Sequence, residues 1–388
     1  MIGGILLSFF ELRTSVWYNM AMKMSRGYKY RIYPNASQMA LIDRTMGCCR
    51  FVYNHFLAER SDAWKLRKTS LGYAATARML TALKRDPDHV WLAGADSMAL
   101  QESLRNLDRA FQNFFARRGR YPRFKSKHDH HQSYRTRNQS NGIRVEGNHI
   151  VLPRLGKLKA KLSRTFDGRI LNATVSKTPA GKYFVSLCVE EDVVPKPNAG
   201  GMIGIDVGLS EFYTDSNGNM VDNPKTLHRY ERKLRREQRR LSRRQRGSAN
   251  RAKQRIKVAA VHEKIYNTRM DFLHKESLKL VSENQVIAVE SLNVKGMVRN
   301  HSLARSISDA SWSRFFTLLE YKAFEHGTEL RKIETFYPSS QTCSCCGFRN
   351  PAARNLNVRE WECPSCHAVH SRDHNAAINI LNKALSSA

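Results

Sequence analysis

Two Cys-x-x-Cys pairs restrict what this chain can fold into more than any other feature. Cys343/Cys346 and Cys363/Cys366 are separated by sixteen residues, a spacing at which two short knuckles close four thiolates around one Zn²⁺ in a ribbon. Gly347 and Ser365 suit tight knuckles whose backbone amides face the sulfurs. Four thiolates leave no open position for water, so this ion is expected to hold structure and not to catalyse. Cys345 makes the first pair ambiguous, and His367 and His370 are substitute ligands; Cys48, Cys49 and Cys188 read as core residues. Paired cysteines in a chain without a convincing secretion signal point to a reducing compartment, so the expected location is cytoplasmic. The apolar run Ile2–Phe10 is too short to span a membrane. It also lacks a basic leader and is followed at once by Glu11. Residues 1–24 are therefore read as an upstream extension, with Met20, Met22 and Met24 as plausible starts, and no membrane partner is expected.

Charge names the partner class. Lysine and arginine total 65 against 34 acids, a formal net charge of +31. Such an excess repels itself unless a polyanion neutralises it, and nucleic acid does so with release of counterions. A hydrophobic fraction of 41% over 388 residues supports real cores and excludes a disordered basic tail. By composition alone, a basic ribosome-associated protein fits equally well.

Along the chain, Tyr28–Tyr33 reads as a strand closed by Pro34-Asn35. Ile42, Met46, Cys49, Tyr53 and Phe56 then mark a helix, and Leu100, Leu104, Leu107, Phe111 and Phe114 another over about 97–117. The loop after it interleaves Arg120, Arg123 and Lys125 with Tyr121 and Phe124, which suits phosphate contact and base stacking. From Gly142 to Glu191 short alternating strands with turns at Gly147-Asn148 and Ala180-Gly181 read as a small β-barrel or sandwich. The expected organisation is a first barrel strand plus helical bundle over 25–141, the rest of the barrel over 142–194, a linker over 195–201, and a second domain over 202–388. That second domain carries the ribbon at about 337–370. Fourteen lysines and arginines lie between Arg229 and Lys257 against Glu231 and Glu237 alone. With Tyr230, Leu234 and Leu241 at helical spacing and a break at Gly247-Ser248, this region reads as a helical hairpin. Its Arg235, Arg236, Arg239, Arg240, Arg243 and Arg244 are candidate nucleic-acid contacts.

The chemistry rests on three acids. Asp206 interrupts the apolar strand Met202–Val207, and Glu290 ends the continuous apolar run Val286–Val289, as in a buried parallel strand. Asp373 precedes the helical stretch Ala376–Leu385. A carboxylate in an apolar strand is costly unless its charge is compensated. If the two strands are neighbours, the three acids converge. Converging carboxylates call for hard divalent cations, Mg²⁺ or Mn²⁺. Two such ions about 3.5–4 Å apart would clamp a scissile phosphate. The expected fold is thus α+β and α/β multidomain: a small β-barrel with an inserted helical bundle, then a domain of mixed strands and helices that carries the three acids and an inserted zinc ribbon.

At these residues the chain resembles the TnpB (OrfB) family of insertion-sequence proteins, relatives of the type V CRISPR effector nucleases. The resemblance runs from about Tyr28 to Leu385. It is carried by Gly204-Ile205-Asp206-Val207-Gly208, Glu290-Ser291-Leu292-Asn293 and Pro338-x-Ser340-x-Thr342-Cys343-Ser344. Both cysteine pairs and Asp373-x-Asn375-Ala376-Ala377-x-Asn379-Ile380 complete it. It implies a transposon-encoded RNA-guided DNA endonuclease whose guide RNA pairs with one strand of a double-stranded target. The protein itself would read a short motif beside the target, and would be nucleoid-associated when bound. It also implies an RNase-H-like (RuvC-type) fold for the domain over 202–388, catalytic roles for Asp206, Glu290 and Asp373, and zinc ligation by Cys343, Cys346, Cys363 and Cys366. Ser371 stands where relatives often carry an acid, Gln341 where lysine is frequent, and Cys345 is an extra thiol. Competing readings are a transposase acting directly in strand transfer, a non-cleaving RNA-guided repressor, and a zinc-ribbon RNA-binding protein without catalysis. Retention of all three acids weighs against the repressor.

Overall fold

The computed structural model describes residues 22–387 apart from 130, 195, 197, 198 and 356. The extension before Met22 and the linker positions Pro195, Pro197 and Asn198 lie outside the described residues. The chain divides at Asp192/Val193 into two compact units.

In the first unit, β1 (Met22–Tyr33) begins six residues before the expected strand and runs into α1 (Ala36–Arg67). Asn35 caps that helix. Its side chain accepts from the Gln38 amide at 2.9 Å, and Gln38 Oε1 accepts from the Asn35 amide at 3.0 Å. The predicted stripe Ile42, Met46, Cys49, Tyr53 and Phe56 is buried. α2 (Tyr73–Leu83) and α3 (Ser97–Phe115) complete the helices, and Leu100, Leu104 and Leu107 of α3 enter the same core. The strands β2 (Gln132–Arg137), β3 (Arg144–Glu146), β4 (His149–Leu152), β5 (Gly156–Lys161), β6 (Arg169–Lys177) and β7 (Tyr183–Val193) join β1 in one seven-stranded sheet.

That sheet corrects the expected barrel. Its order is β2-β6-β7-β1-β5-β4-β3, so β2 and β3 are edges that do not pair with each other among the described residues. The segment joining them is held as a turn. The Asn138 side chain donates to the carbonyls of Ile143 (3.1 Å) and Ile170 (2.9 Å) and accepts from the Ile143 amide (2.9 Å). β3 is three residues long, too short for a closing ladder. Alternation in the sequence reports one buried face per strand, but not whether the two edges meet.

In the second unit, β8 (Gly201–Val207), β9 (Glu211–Asp215), β10 (Met220–Asp222), β11 (Asn284–Glu290) and β12 (Glu329–Ile333) form a sheet ordered β10-β9-β8-β11-β12. β11 lies parallel to both β8 and β12, while β9 is antiparallel to β8. Between β10 and β11 the basic region folds as α4 (Thr226–Ser242) and α5 (Ala249–Glu283), with Ser248 capping α5. Leu234, Val261 and Ile265 form the seam of this hairpin. α6 (Val294–Met297), α7 (His301–Ala310) and α8 (Trp312–His326) follow β11. Beyond β12, the ribbon hairpin β13 (Glu360–Glu362) and β14 (Val369–Ser371) leads into α9 (Arg372–Ser386).

The central strands sort their residues by face. Ile203, Ile205, Ile287 and Val289 pack with Phe212, Trp312 and Phe315, whereas Ala288 packs with Ile333 and with Ile380 and Ala384 of α9. Small residues let α9 approach closely: a Cβ added to Gly204 would lie 2.1 Å from the Ala377 carbonyl oxygen. No helix of the described residues is long and apolar enough to cross a membrane.

Candidate active site

Strand alternation puts Asp206 on the same face as Gly204, and Glu290 on that of Ala288, the side covered by α9. The parallel register pairs Ile205 with Val289, so Asp206 and Glu290 come next at the carboxyl ends of adjacent strands. Asp373 sits in the first turn of α9. Burial pushes the Asp206 carboxyl well above the usual carboxylate range; Glu290 and Asp373 push it the same way, and the Arg372 guanidinium opposes them. Burial also raises Glu290, partly offset by Ser339, whose hydroxyl donates to Glu290 Oε1 at 2.6 Å. Arg359 pairs with Asp373 at 3.2 Å and reaches Ser210 Oγ at 3.4 Å. The three acids thus share one end of the sheet and feel one another. Among the described residues, their oxygens do not all lie within 4.8 Å of each other, whereas the four ribbon thiols do.

In the ribbon, Cys343 and Cys366 sulfurs are 3.6 Å apart, as are those of Cys346 and Cys363. Tetrahedral Zn–S bonds would place sulfurs about 3.8 Å apart, so the thiols fit the ion. The knuckles turn over Ser344–Cys346 and Pro364–Cys366, so Ser365 lies within the second turn, and each is followed by a left-handed residue, Gly347 (φ +78°) and His367 (φ +58°). Cys345 is exposed, and His370 Nε2 lies 3.0 Å from Cys343 Sγ, its ring packed on Trp361. If the four thiols hold zinc, chelation or Cys343→Ser should lower the melting temperature, because folding of such a ribbon is coupled to metal binding. Unchanged melting after metal removal would refute this.

Two asparagines explain the motif around Asp373, a signal that sequence reasoning quoted without a mechanism. Asn375 donates to Thr342 O at 2.8 Å and accepts from the Ser344 amide at 2.9 Å, while Asn379 donates to Ser339 O at 2.8 Å and to Thr342 O at 2.6 Å. Both are buried. They staple the root of the ribbon to α9, and Ser339, so held, contacts Glu290. Asn379→Ala should cost about 1–3 kcal/mol by stripping a donor from buried carbonyls. Faster amide exchange across 338–344 would register the loosened root, and native exchange there would contradict the role.

The predicted nucleic-acid contacts divide. Arg120, Tyr121, Arg123 and Phe124 are all exposed; Tyr121 also packs edge-on against Phe111 and Phe114 and shares a hydrogen bond with Ser61. Lys125 Nζ lies over the Tyr53 ring at 4.2 Å. On α4, Arg235 pairs with Glu231, and Arg236 and Arg240 pair with Glu237 at 3.5 and 3.1 Å. Arg239, Arg243 and Arg244 are exposed and have no acidic partner among the described residues.

Three family descriptions match: "Probable transposase" over residues 186–301, "Cas12f1-like, TNB domain" over 312–380 and "Helix-turn-helix domain" over 22–69. The last stretch here forms a strand and one long helix. A Streptomyces pristinaespiralis protein named as an RNA-guided DNA endonuclease is 40% identical over 95% of this chain and 91% of its own length. An Escherichia coli protein named as the RNA-guided DNA endonuclease InsQ is 31% identical over 93% and 92%. Among solved structures, the Cas12f1–sgRNA–target DNA complex contains a chain that superposes with TM-score 0.61 at 13% identity, covering 93% of this chain and 99% of that one, a likeness of fold. With relatives so similar over nearly their whole length, the chain belongs to the TnpB (OrfB) family of insertion-sequence proteins.

Proposed function

We propose that this protein is a transposon-encoded, RNA-guided DNA endonuclease that hydrolyses phosphodiester bonds at Asp206, Glu290 and Asp373. The observation that carries the reading is the arrival of three acids at one end of a sheet, two of them on adjacent parallel strands. Near-full-length relatives named for that activity support it. The strand order, with β11 parallel to β8 and β9 antiparallel to it, supports the RNase-H-like description.

Asp206, Glu290 and Asp373 would hold the Mg²⁺ or Mn²⁺ ions, and the four ribbon cysteines one structural Zn²⁺. Divalent cations at such a carboxylate cluster supply activation of water and neutralisation of charge on the phosphate. The fit is chemical: burial and like charge disfavour an ionised Asp206, which is the environment a hard cation relieves. Ser339 fixes one Glu290 oxygen and leaves the other available. Arg359, joined to Asp373, offers a cation that can turn to a phosphate. Guide RNA and duplex target are the partners, met by the exposed arginines of α4 and the 120–124 loop through shape and charge.

The test is cleavage, in Mg²⁺, of a plasmid library with randomised flanks by protein co-expressed with the RNA encoded downstream of it. Cutting beside one fixed motif at the RNA-matched site is expected. Binding there without cutting would favour the repressor reading, and neither would favour direct transposition or plain RNA binding.

A further inference from the structure

Phe336 departs from what folding alone would select, in both side chain and backbone. It is 93% exposed, more than any other large apolar residue described. Its φ is +72°, the left-handed region, where a bulky side chain is an outlier. Such strain persists when the surroundings impose it, and it gathers at functional positions.

The surroundings do impose it. Thr335 Oγ1 donates to Ser291 O at 3.0 Å, tying one side of the turn to the exit of β11. Tyr337, on the other side, packs against Ile333, Ile380 and the rest of their cluster. The Ser339 amide donates to Tyr337 O at 2.8 Å, and its hydroxyl grips Glu290. Both flanks are anchored beside Glu290, and the side chain left outside is an aromatic ring against which no other ring packs among the described residues.

We infer that Phe336 is a stacking platform for an unpaired base of the DNA strand delivered to Glu290. A ring face accepts any base, so the contact is tolerant of sequence, as a guided cutter needs. A duplex has no free base face to offer, so the ligand class is single-stranded DNA. The anchored turn holds the ring in place before the strand arrives, so little order is lost on contact. This inference rests on the nuclease reading, and its test separates the two.

The full chain is titrated with fluorescein-labelled oligo(dT) and with an abasic oligonucleotide of equal length, at about 0.3 M salt to weaken backbone binding. Phe336→Ala should weaken oligo(dT) binding about tenfold and leave the abasic strand unaffected. Phe336→Trp should restore binding and show indole quenching by oligo(dT) only. Phe336→Gly, suited to the left-handed backbone, should melt no lower than the native chain and yet bind as weakly as the alanine variant. Equal oligo(dT) binding by Phe336→Ala, or equal weakening towards both strands, would overturn the inference. Guided cleavage by the native chain is measured alongside. If the native chain cuts and Phe336→Ala binds and cuts like it, only the stacking role falls. If the native chain cuts nothing, the nuclease reading falls, and the oligonucleotide comparison still decides the stacking role.

Discussion

Asp206→Asn should reduce DNA cleavage by at least about a thousandfold, since acids acting as one unit are lost together, while guide RNA and target binding stay near native. The change keeps the shape of the side chain and removes the charge that burial and two neighbouring carboxylates disfavour. The variant should therefore melt no lower than the native protein. Loss of cutting with unimpaired stability is the signature of a residue kept for its charge. Single-turnover cleavage and thermal unfolding in parallel check this, and native cutting by the variant would remove Asp206 from the site.

Gly204→Ala is the second large effect, and it acts through packing. The new Cβ would lie 2.1 Å from the Ala377 carbonyl oxygen and 2.9 Å from Leu381 Cβ. These atoms belong to α9, so no side chain can swing aside and the helix must shift. A stability loss of about 3 kcal/mol is expected for overpacking against backbone. Cleavage should fall with it, because α9 carries Asp373. A melting temperature within a degree or so of native would mean that α9 yields more easily than its close contact with β8 implies.

The candidate site was legible where chemistry leaves a mark within a few residues. Asp206 and Glu290 each break an apolar run, and that conflict is visible without coordinates. The cysteine pairs announce themselves by spacing. What escaped depends on partners far along the chain. Asn375 and Asn379 look like ordinary helix residues until Ser339 and Thr342 are found against them. Tyr121 in a basic loop suits base stacking by its sequence, and its edge-on contacts with Phe111 and Phe114, which hold an exposed ring in place, become visible only in the fold. The open sheet escaped for the same reason, because edge pairing is a property of strands that sequence alternation treats one at a time.

The threading of the second sheet bears on how the protein is made. β8 and β11 are neighbours, yet the whole basic hairpin is synthesised between them, and Asp373 emerges only after the ribbon has been read out. A ribosome that has finished Glu290 has delivered two of the three acids, and α9, which covers them, does not yet exist. On the proposed reading, a chain truncated within the ribbon lacks Asp373 and α9 and would be incomplete as a cutter.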